Sequence, residues 1–300
     1  MAIASVVRRH ALCKQFETES RTYRVLYLGA QTGWGKTTAA MGWMKTSPDR
    51  FTYLCAGQED FYDRLAAIGN NPFPRMILDD AHCISDPLII DRILQLIDCM
   101  PQNSCLLIAG RSALPPWLKP LYASNQLYVF DLEWLRFSSE EAAKLLQQRG
   151  IAWDSHLVSQ IMNKSKGWPL GVSILASRLQ QNPVFTEALS CQADMDVFDI
   201  FDVAILMRWE DDIRHFMLRM ASFPCFTVQM ARMVTGKPNV EAILARIMRS
   251  SSFLALQSPE TYTVNPLFHR YLVKKQKEIH SPEFVRQQYF SAGLYYEMMD

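Results

Sequence analysis

The stretch Ala30-Gln31-Thr32-Gly33-Trp34-Gly35-Lys36-Thr37-Thr38 constrains this chain more than any other. An apolar run, Arg24-Val25-Leu26-Tyr27-Leu28, precedes it, and a helix-competent segment, Ala39 to Lys45, follows. A strand, a glycine-bearing loop and a helix start with Gly-Lys-Thr at the junction form the layout of a phosphate-binding P-loop. Gly33 and Gly35 let successive backbone N–H groups converge on one point. Lys36 supplies a charge for the β- and γ-phosphates, and Thr37 supplies a hydroxyl for Mg²⁺. The pattern departs from the standard one at its first position, where Ala30 stands in place of glycine and Gly29 lies one residue out of register.

A strand that ends in carboxylates supports this reading. Arg75-Met76-Ile77-Leu78-Asp79-Asp80 is a buried-strand pattern about forty residues after the loop. Asp79 is placed to hold Mg²⁺ with Thr37, directly or through water. Asp80 is placed to orient or deprotonate an attacking water. The plainer alternative for the pair is a solvated acidic turn. The next apolar run, Cys105 to Ala109, ends in Gly110-Arg111-Ser112, so Arg111 is either a γ-phosphate sensor at the sheet edge or an ordinary loop arginine. His82 and Cys83 have no further ligands at zinc-like spacing and read as loop or packing residues.

Further strand candidates are Phe51–Cys55 and Gln126–Phe130. Helices are expected over residues 7–20, Glu59–Ile68, Pro87–Met100 and Trp117–Ala123. Near-continuous apolar strands alternating with helices imply a parallel sheet covered on both faces. Three hundred residues suggest about two domains, and a hydrophobic fraction of 49% is ample for a core. A formal net charge of +1 lacks the footprint of a dedicated nucleic-acid binder. The seven cysteines include no C-x-x-C pair and mostly fall in apolar segments, as reduced thiols do, which favours a cytoplasmic location. Neither a secretory signal nor an 18-residue uncharged apolar run is expected, so no membrane partner is implied.

In the second half, Ser138-Ser139-Glu140-Glu141 opens a helix with a capping box, and Gly150 closes it. Helices at Ser155–Asn163 and Pro169–Gln180 follow, the second with proline at its first turn. Between them, Gly167-Trp168-Pro169 either simply starts a helix or offers an apolar step to a planar ring. Gln181 to Asp196 is polar and mixed and reads as a connection, and Phe198 to Met220 reads as helical. Helices near Val228–Val234 and Val240–Arg249, a hairpin of Phe253–Leu256 with Tyr262–Val264, and a helix from Pro266 through Lys275 make a winged-helix pattern. Arg246, Arg249 and Lys274-Lys275-Gln276-Lys277 are too few cations to argue for DNA binding. A last helix is expected from Phe284 to Met299.

Taken together, these motifs resemble the STAND-type signal-transduction ATPases, in particular the ATP-binding region of large LuxR-type transcriptional regulators. The matching segments, in order, are Ala30–Thr38, Ile77–His82, Ala109–Pro116, Leu135–Ala143, Lys166–Gly171 and Asn265–Phe268. The family favours alanine at the first P-loop position, so Ala30 becomes a point of likeness. The resemblance implies a P-loop NTPase domain with a five-stranded parallel sheet over residues 1–135, in which the P-loop, acidic and arginine strands are neighbours. It implies a helical lid over 136–190, a winged helix over 191–277 and the start of a helical linker or sensor region over 278–300. It also places Pro169 against adenine and closes the winged helix over ADP in the resting state. Where the family has a phosphate-contacting histidine this chain has Asn265, which can donate a hydrogen bond but carries no charge; the alternative candidate for that place is the nearby His269.

The expected function is an ATP/ADP switch using Mg²⁺. An ATP-bound state would self-associate, and slow hydrolysis would reset it. Transcription regulation would be the output of an intact protein, with DNA bound by a C-terminal domain beyond residue 300. The alternatives are a P-loop ATPase or phosphotransferase with continuous turnover, and a nucleic-acid-binding winged helix with an incidental ATP site.

Overall fold

The computed structural model describes residues 7–68, 75–111, 114–250, 253–258 and 260–299. The hairpin tip at Pro259 and the Ser112–Ala113 part of the arginine-strand motif lie outside them. The chain divides into two compact units, residues 1–193 and 194–300.

The first unit is built on a parallel sheet. Its strands are β1 (Val25–Gly29), β2 (Phe51–Cys55), β3 (Arg75–Asp79), β4 (Cys105–Gly110) and β5 (Leu127–Phe130), in the spatial order β2-β3-β4-β1-β5. Each of the four neighbouring pairs is parallel. Every residue of β3 and β4 is buried, which is why these segments read as unbroken apolar runs and not as an alternation. Helices α1 (His10–Glu19), α2 (Lys36–Thr46), α3 (Phe61–Ala67), α4 (Pro87–Cys99) and α5 (Lys119–Ala123) accompany the strands. The acidic, arginine and P-loop strands, β3, β4 and β1, stand side by side, so their C-terminal ends share one edge. Open α/β sheets bind ligands at that edge.

Helices α6 (Ser139–Gln148), α7 (Ser155–Ser165) and α8 (Pro169–Gln181) complete this unit, with a core of Ala142, Leu146, Ile161, Val172, Leu175 and Ala176. The capping box at α6 forms as its sequence requires. Ser138 Oγ accepts from the Glu141 N–H at 3.2 Å, and Glu141 Oε2 accepts from the Ser138 N–H at 3.0 Å. Gly150 takes φ +70° just past the helix, the left-handed turn that glycine adopts without cost.

One expectation fails here. The stretch from Gln181 to Asp196, read as a connection, is largely helical: α9 runs from Glu187 to Ala204. Leu189, Ala193, Val197 and Phe201 recur every fourth residue and are all buried. The aspartates between them lowered the apparent apolar content, but the spacing of the buried residues set the structure. The stretch Phe198–Met220, expected to be helical, is helical in three pieces. α9 ends at Ala204, a short 3₁₀ turn covers Leu206–Arg208, and α10 (Asp211–Met220) begins after Glu210.

The second unit continues with β6 (Cys225–Thr227), α11 (Val228–Thr235), α12 (Val240–Ser250), β7 (Leu254–Ser258), β8 (Thr261–Val264), α13 (Pro266–Ile279) and α14 (Pro282–Met299). The strands form an antiparallel sheet in the order β6-β8-β7. The hairpin of the winged-helix pattern is present, and β6 joins it as a third strand too short to show a period in sequence. An aromatic cluster fills the interior: Phe201, Phe253, Phe268 and Tyr271 lie with ring centroids 4.6–5.5 Å apart.

Candidate functional site

Glycine conformation shapes the loop after β1. Gly33 has φ +85° and Gly35 φ +76°, and Gly35 is the residue from which α2 springs. A Cβ on Gly33 would come within 2.7 Å of Leu170 Cδ2 and 2.8 Å of Trp168 Cζ2. Only glycine fits both this backbone conformation and this contact. Ala30 is buried, and its N–H donates to the Gly110 carbonyl at 3.1 Å, joining the loop's first residue to the end of β4.

Lys36 is almost fully buried at the start of α2, and its Nζ donates to the Gln31 carbonyl at 3.1 Å. Burial lowers its pKa to about 8, and Arg111 adds to this; Asp79 and Asp80 act the other way. The four motif residues therefore share one electrostatic environment. Gln31 is buried, and its amide nitrogen donates to the Arg111 carbonyl at 3.1 Å, bracing the loop against the end of β4. Trp34 is buried and does not line the cavity described below.

The acidic pair divides its work between burial and exposure. Asp79, the last residue of β3, is 2% exposed. Its Oδ1 accepts from the Asp80 N–H at 2.9 Å, and its Oδ2 accepts from the Tyr53 hydroxyl at 3.1 Å. Asp80 takes a left-handed conformation, φ 53° and ψ 35°, which turns the chain out of the sheet. Its carboxylate is more open than that of Asp79, with Cys55 Sγ at 3.6 Å and His82 Nδ1 at 3.7 Å. His82 and Cys83 follow in a short 3₁₀ turn, and no group of three or more metal-ligating side chains occurs among the described residues.

A cavity of about 450 Å³ opens at this edge, within the usual range for small-ligand sites. It is lined by the loop residues Thr32, Gly33, Gly35, Lys36, Thr37 and Thr38, by Asp80 and Arg111, and by Val7, Arg9, Phe137, Leu145, Arg149, Pro169, Leu170 and Ser173. The structure thus gathers most of the loop together with Asp80, Arg111 and Pro169. Asp79 does not itself line the cavity but is hydrogen-bonded to Asp80, which does. Asn265 lies in the second unit, where its side-chain oxygen accepts from the Leu267 and Phe268 N–H groups and caps α13. His269, on the first turn of that helix, is half-buried, and burial lowers its pKa.

Two arginines of the cavity wall had no sequence signal. Arg9 is nearly buried and donates to the carbonyls of Trp134, Leu135 and Arg136 at 2.7–2.9 Å, and to Glu141 Oε1 at 2.7 Å. It thereby fastens the segment ahead of α1 to the start of the lid helices. Arg149 donates to the Ser173 carbonyl and to Ser177 Oγ, both at 2.7 Å. Helix α8 also touches the loop through the backbone: the Leu170 N–H donates to the Gly33 carbonyl at 3.1 Å.

These residues fit a nucleotide and its metal ion. Gly33 and Gly35 give a cradle that a side chain would fill, Lys36 would meet phosphate, and Thr37 with Asp79 would hold Mg²⁺. The apolar side chains of Phe137, Leu145 and Pro169 in the wall suit a planar base. Bound Mg²⁺ would neutralise phosphate charge; Asp80 is the open carboxylate next to that position, where it could orient water.

Comparison with known proteins agrees with this geometry. The MalT winged helix domain family model matches residues 203–283. The HTH-type transcriptional regulator MalT of Vibrio cholerae is 21% identical over 323 residues, covering 90% of this chain and 34% of the relative. The MalT of Serratia proteamaculans is 22% identical over 315 residues, covering 89% and 35%. The chain thus spans about a third of the length of these curated relatives. Among solved structures, the Walker-type ATPase PABY2304 of Pyrococcus abyssi shares the fold with a TM-score of 0.65 at 11% identity, over 89% of this chain and 96% of that one. No helix among the described residues is long and apolar enough to cross a membrane. In its P-loop sheet and MalT-type winged helix the chain resembles the STAND-type ATPase regions of large LuxR-type regulators.

Proposed function

We propose that this chain is a cytoplasmic ATP/ADP-binding switch that uses Mg²⁺ and hydrolyses ATP slowly to reset itself. The observation that carries this reading is the shared cavity: the same pocket is lined by the phosphate loop and by the lid, with Leu170 hydrogen-bonded to Gly33. A nucleotide there touches both bodies, so exchanging ADP for ATP changes what the lid rests on. A ligand shifts a conformational equilibrium only through such differential contacts.

In this reading Lys36, Thr37 and Thr38 hold the phosphates, and Thr37 with Asp79 holds the metal. Asp80 orients water, Arg111 senses the γ-phosphate, and Pro169 packs on the base. Asn265, with an uncharged amide already capping a helix, contributes less to an ADP clamp than a histidine would. The ATP state self-associates. In an intact protein the output is transcription regulation, exerted on DNA through a C-terminal domain, as the MalT relatives' name suggests for them.

The winged helix in this chain is not the DNA reader. Arg246, on α12, is paired with Glu210 and Asp212, and Arg232 with Glu241. Cations spent on neighbouring carboxylates give no phosphate footprint.

The test is the nucleotide that co-purifies with the protein. Tight ADP with slow turnover, lost in Lys36→Ala, together with a larger oligomer in ATP than in ADP by light scattering, is expected. Fast turnover by the monomer would leave the continuous-turnover alternative standing. Unchanged occupancy in Lys36→Ala would remove the phosphate-loop assignment itself.

A further inference from the structure

The carboxylate assigned to Mg²⁺ is held by a residue that no P-loop pattern includes. Asp79 is 2% exposed, and both of its oxygens are engaged: Oδ1 by the Asp80 N–H at 2.9 Å and Oδ2 by the Tyr53 hydroxyl at 3.1 Å. Tyr53 stands in β2, the edge strand beside β3, with its ring partly open to solvent. The register pairs Tyr53 with Ile77 and Cys55 with Asp79, so the tyrosine reaches forward along the sheet to the carboxylate that ends the neighbouring strand. Two residues on, and therefore on the same face of β2, Cys55 places its thiol 3.6 Å from Asp80 Oδ2. The edge strand thus supplies one hydroxyl to the buried carboxylate and one thiol to the open one.

We propose that Tyr53 is a positioning residue for the metal site: its hydroxyl fixes the Asp79 carboxylate in the orientation in which it serves Mg²⁺. The inference rests on the nucleotide reading above. Its physical basis is general. A carboxylate with one fixed acceptor lone pair can rotate about its last torsion, whereas one fixed at both oxygens cannot. Partners of this kind tune metal affinity without touching the metal. With both oxygens fixed, the orientation is set before the cation arrives, so no rotational freedom is lost on binding. The hydroxyl also occupies a lone pair that would otherwise be left unsatisfied in a carboxylate almost closed to water.

The experiment is a titration of a fluorescent ADP analogue on the full chain, wild type and Tyr53→Phe, in EDTA and across a Mg²⁺ series, with thermal melts of both proteins. The expected result is unchanged affinity in EDTA and a Mg²⁺ requirement raised by roughly tenfold in Tyr53→Phe. Identical Mg²⁺ curves for the two proteins would overturn the proposal. Equal losses with and without Mg²⁺ would also overturn it, because they would assign Tyr53 to packing alone. A wild type that binds the analogue with no Mg²⁺ enhancement would remove the metal reading instead, an outcome distinguishable from failure of Tyr53. No binding by the wild type in either condition would remove the nucleotide reading.

Discussion

The two units of this chain differ in where part of their polar residues is directed. In the first, charged and hydroxyl side chains from β2, β3, α2, the segment after β4 and the lid converge on one edge of the sheet. In the second, such residues neutralise one another or fasten helices. Tyr271 donates to Asp202 at 2.5 Å, Lys275 sits 2.7 Å from the same carboxylate, and Gln276 is buried between the Leu218 carbonyl and Gln288. The difference teaches where chemistry can occur. A polar group whose partners are all within the fold stabilises structure, whereas a group such as Lys36, buried with its charge incompletely matched, is available to a ligand.

The largest effect that would test this contrast is on stability. Phe268 is fully buried among Phe201, Phe253, Tyr271 and Trp209. Phe268→Ala should destabilise the second unit by about 3–5 kcal/mol, read from denaturant midpoints. A fall in nucleotide affinity of the same free energy, measured well below the melting temperature, would erase the division between packed body and site.

A smaller effect concerns the charge on Lys36. Burial holds its pKa at about 8, and a bound phosphate would raise it. The free site therefore loses a proton as pH rises past about 8, while the occupied site keeps it. Binding then takes up a proton, and affinity should fall by up to about tenfold per pH unit above that point. Calorimetry at pH 9 in two buffers of different ionisation enthalpy reads the uptake directly. A flat affinity between pH 7 and 9.5 would contradict this. The smallest effect belongs to Arg246→Ala: its ion pairs lie at the surface, so Tm should move by no more than about 2 °C and nucleic-acid retention should stay unchanged. A marked loss of DNA binding on this change would give the winged helix a site of its own.

Much of the first unit was legible in the sequence because its signals are local. The strands announce themselves as apolar runs, and the glycines, Lys36 and the paired aspartates stand at fixed offsets from strand ends. Ser138 and Glu141 cap a helix because they are three residues apart. The second unit was less legible. The buried positions of α9, which crosses from the first unit into the second, lie among aspartates, and β6 is three residues long, so neither stood out as an element in the sequence.

The sequence by itself determined the glycine-bearing loop between β1 and α2, the carboxylates at the end of β3, the parallel sheet and the winged-helix pattern, because backbone conformation and burial period act over a few residues. Tertiary structure alone decided the rest. Arg9 belongs to the lid because three carbonyls more than a hundred residues away present themselves to it. Arg149 joins the cavity because α8 folds back beside α6, and Tyr53 meets Asp79 because β2 pairs with β3 in one register. Side chains from distant segments meet only when strand order and helix packing bring them together, and no local spacing encodes that.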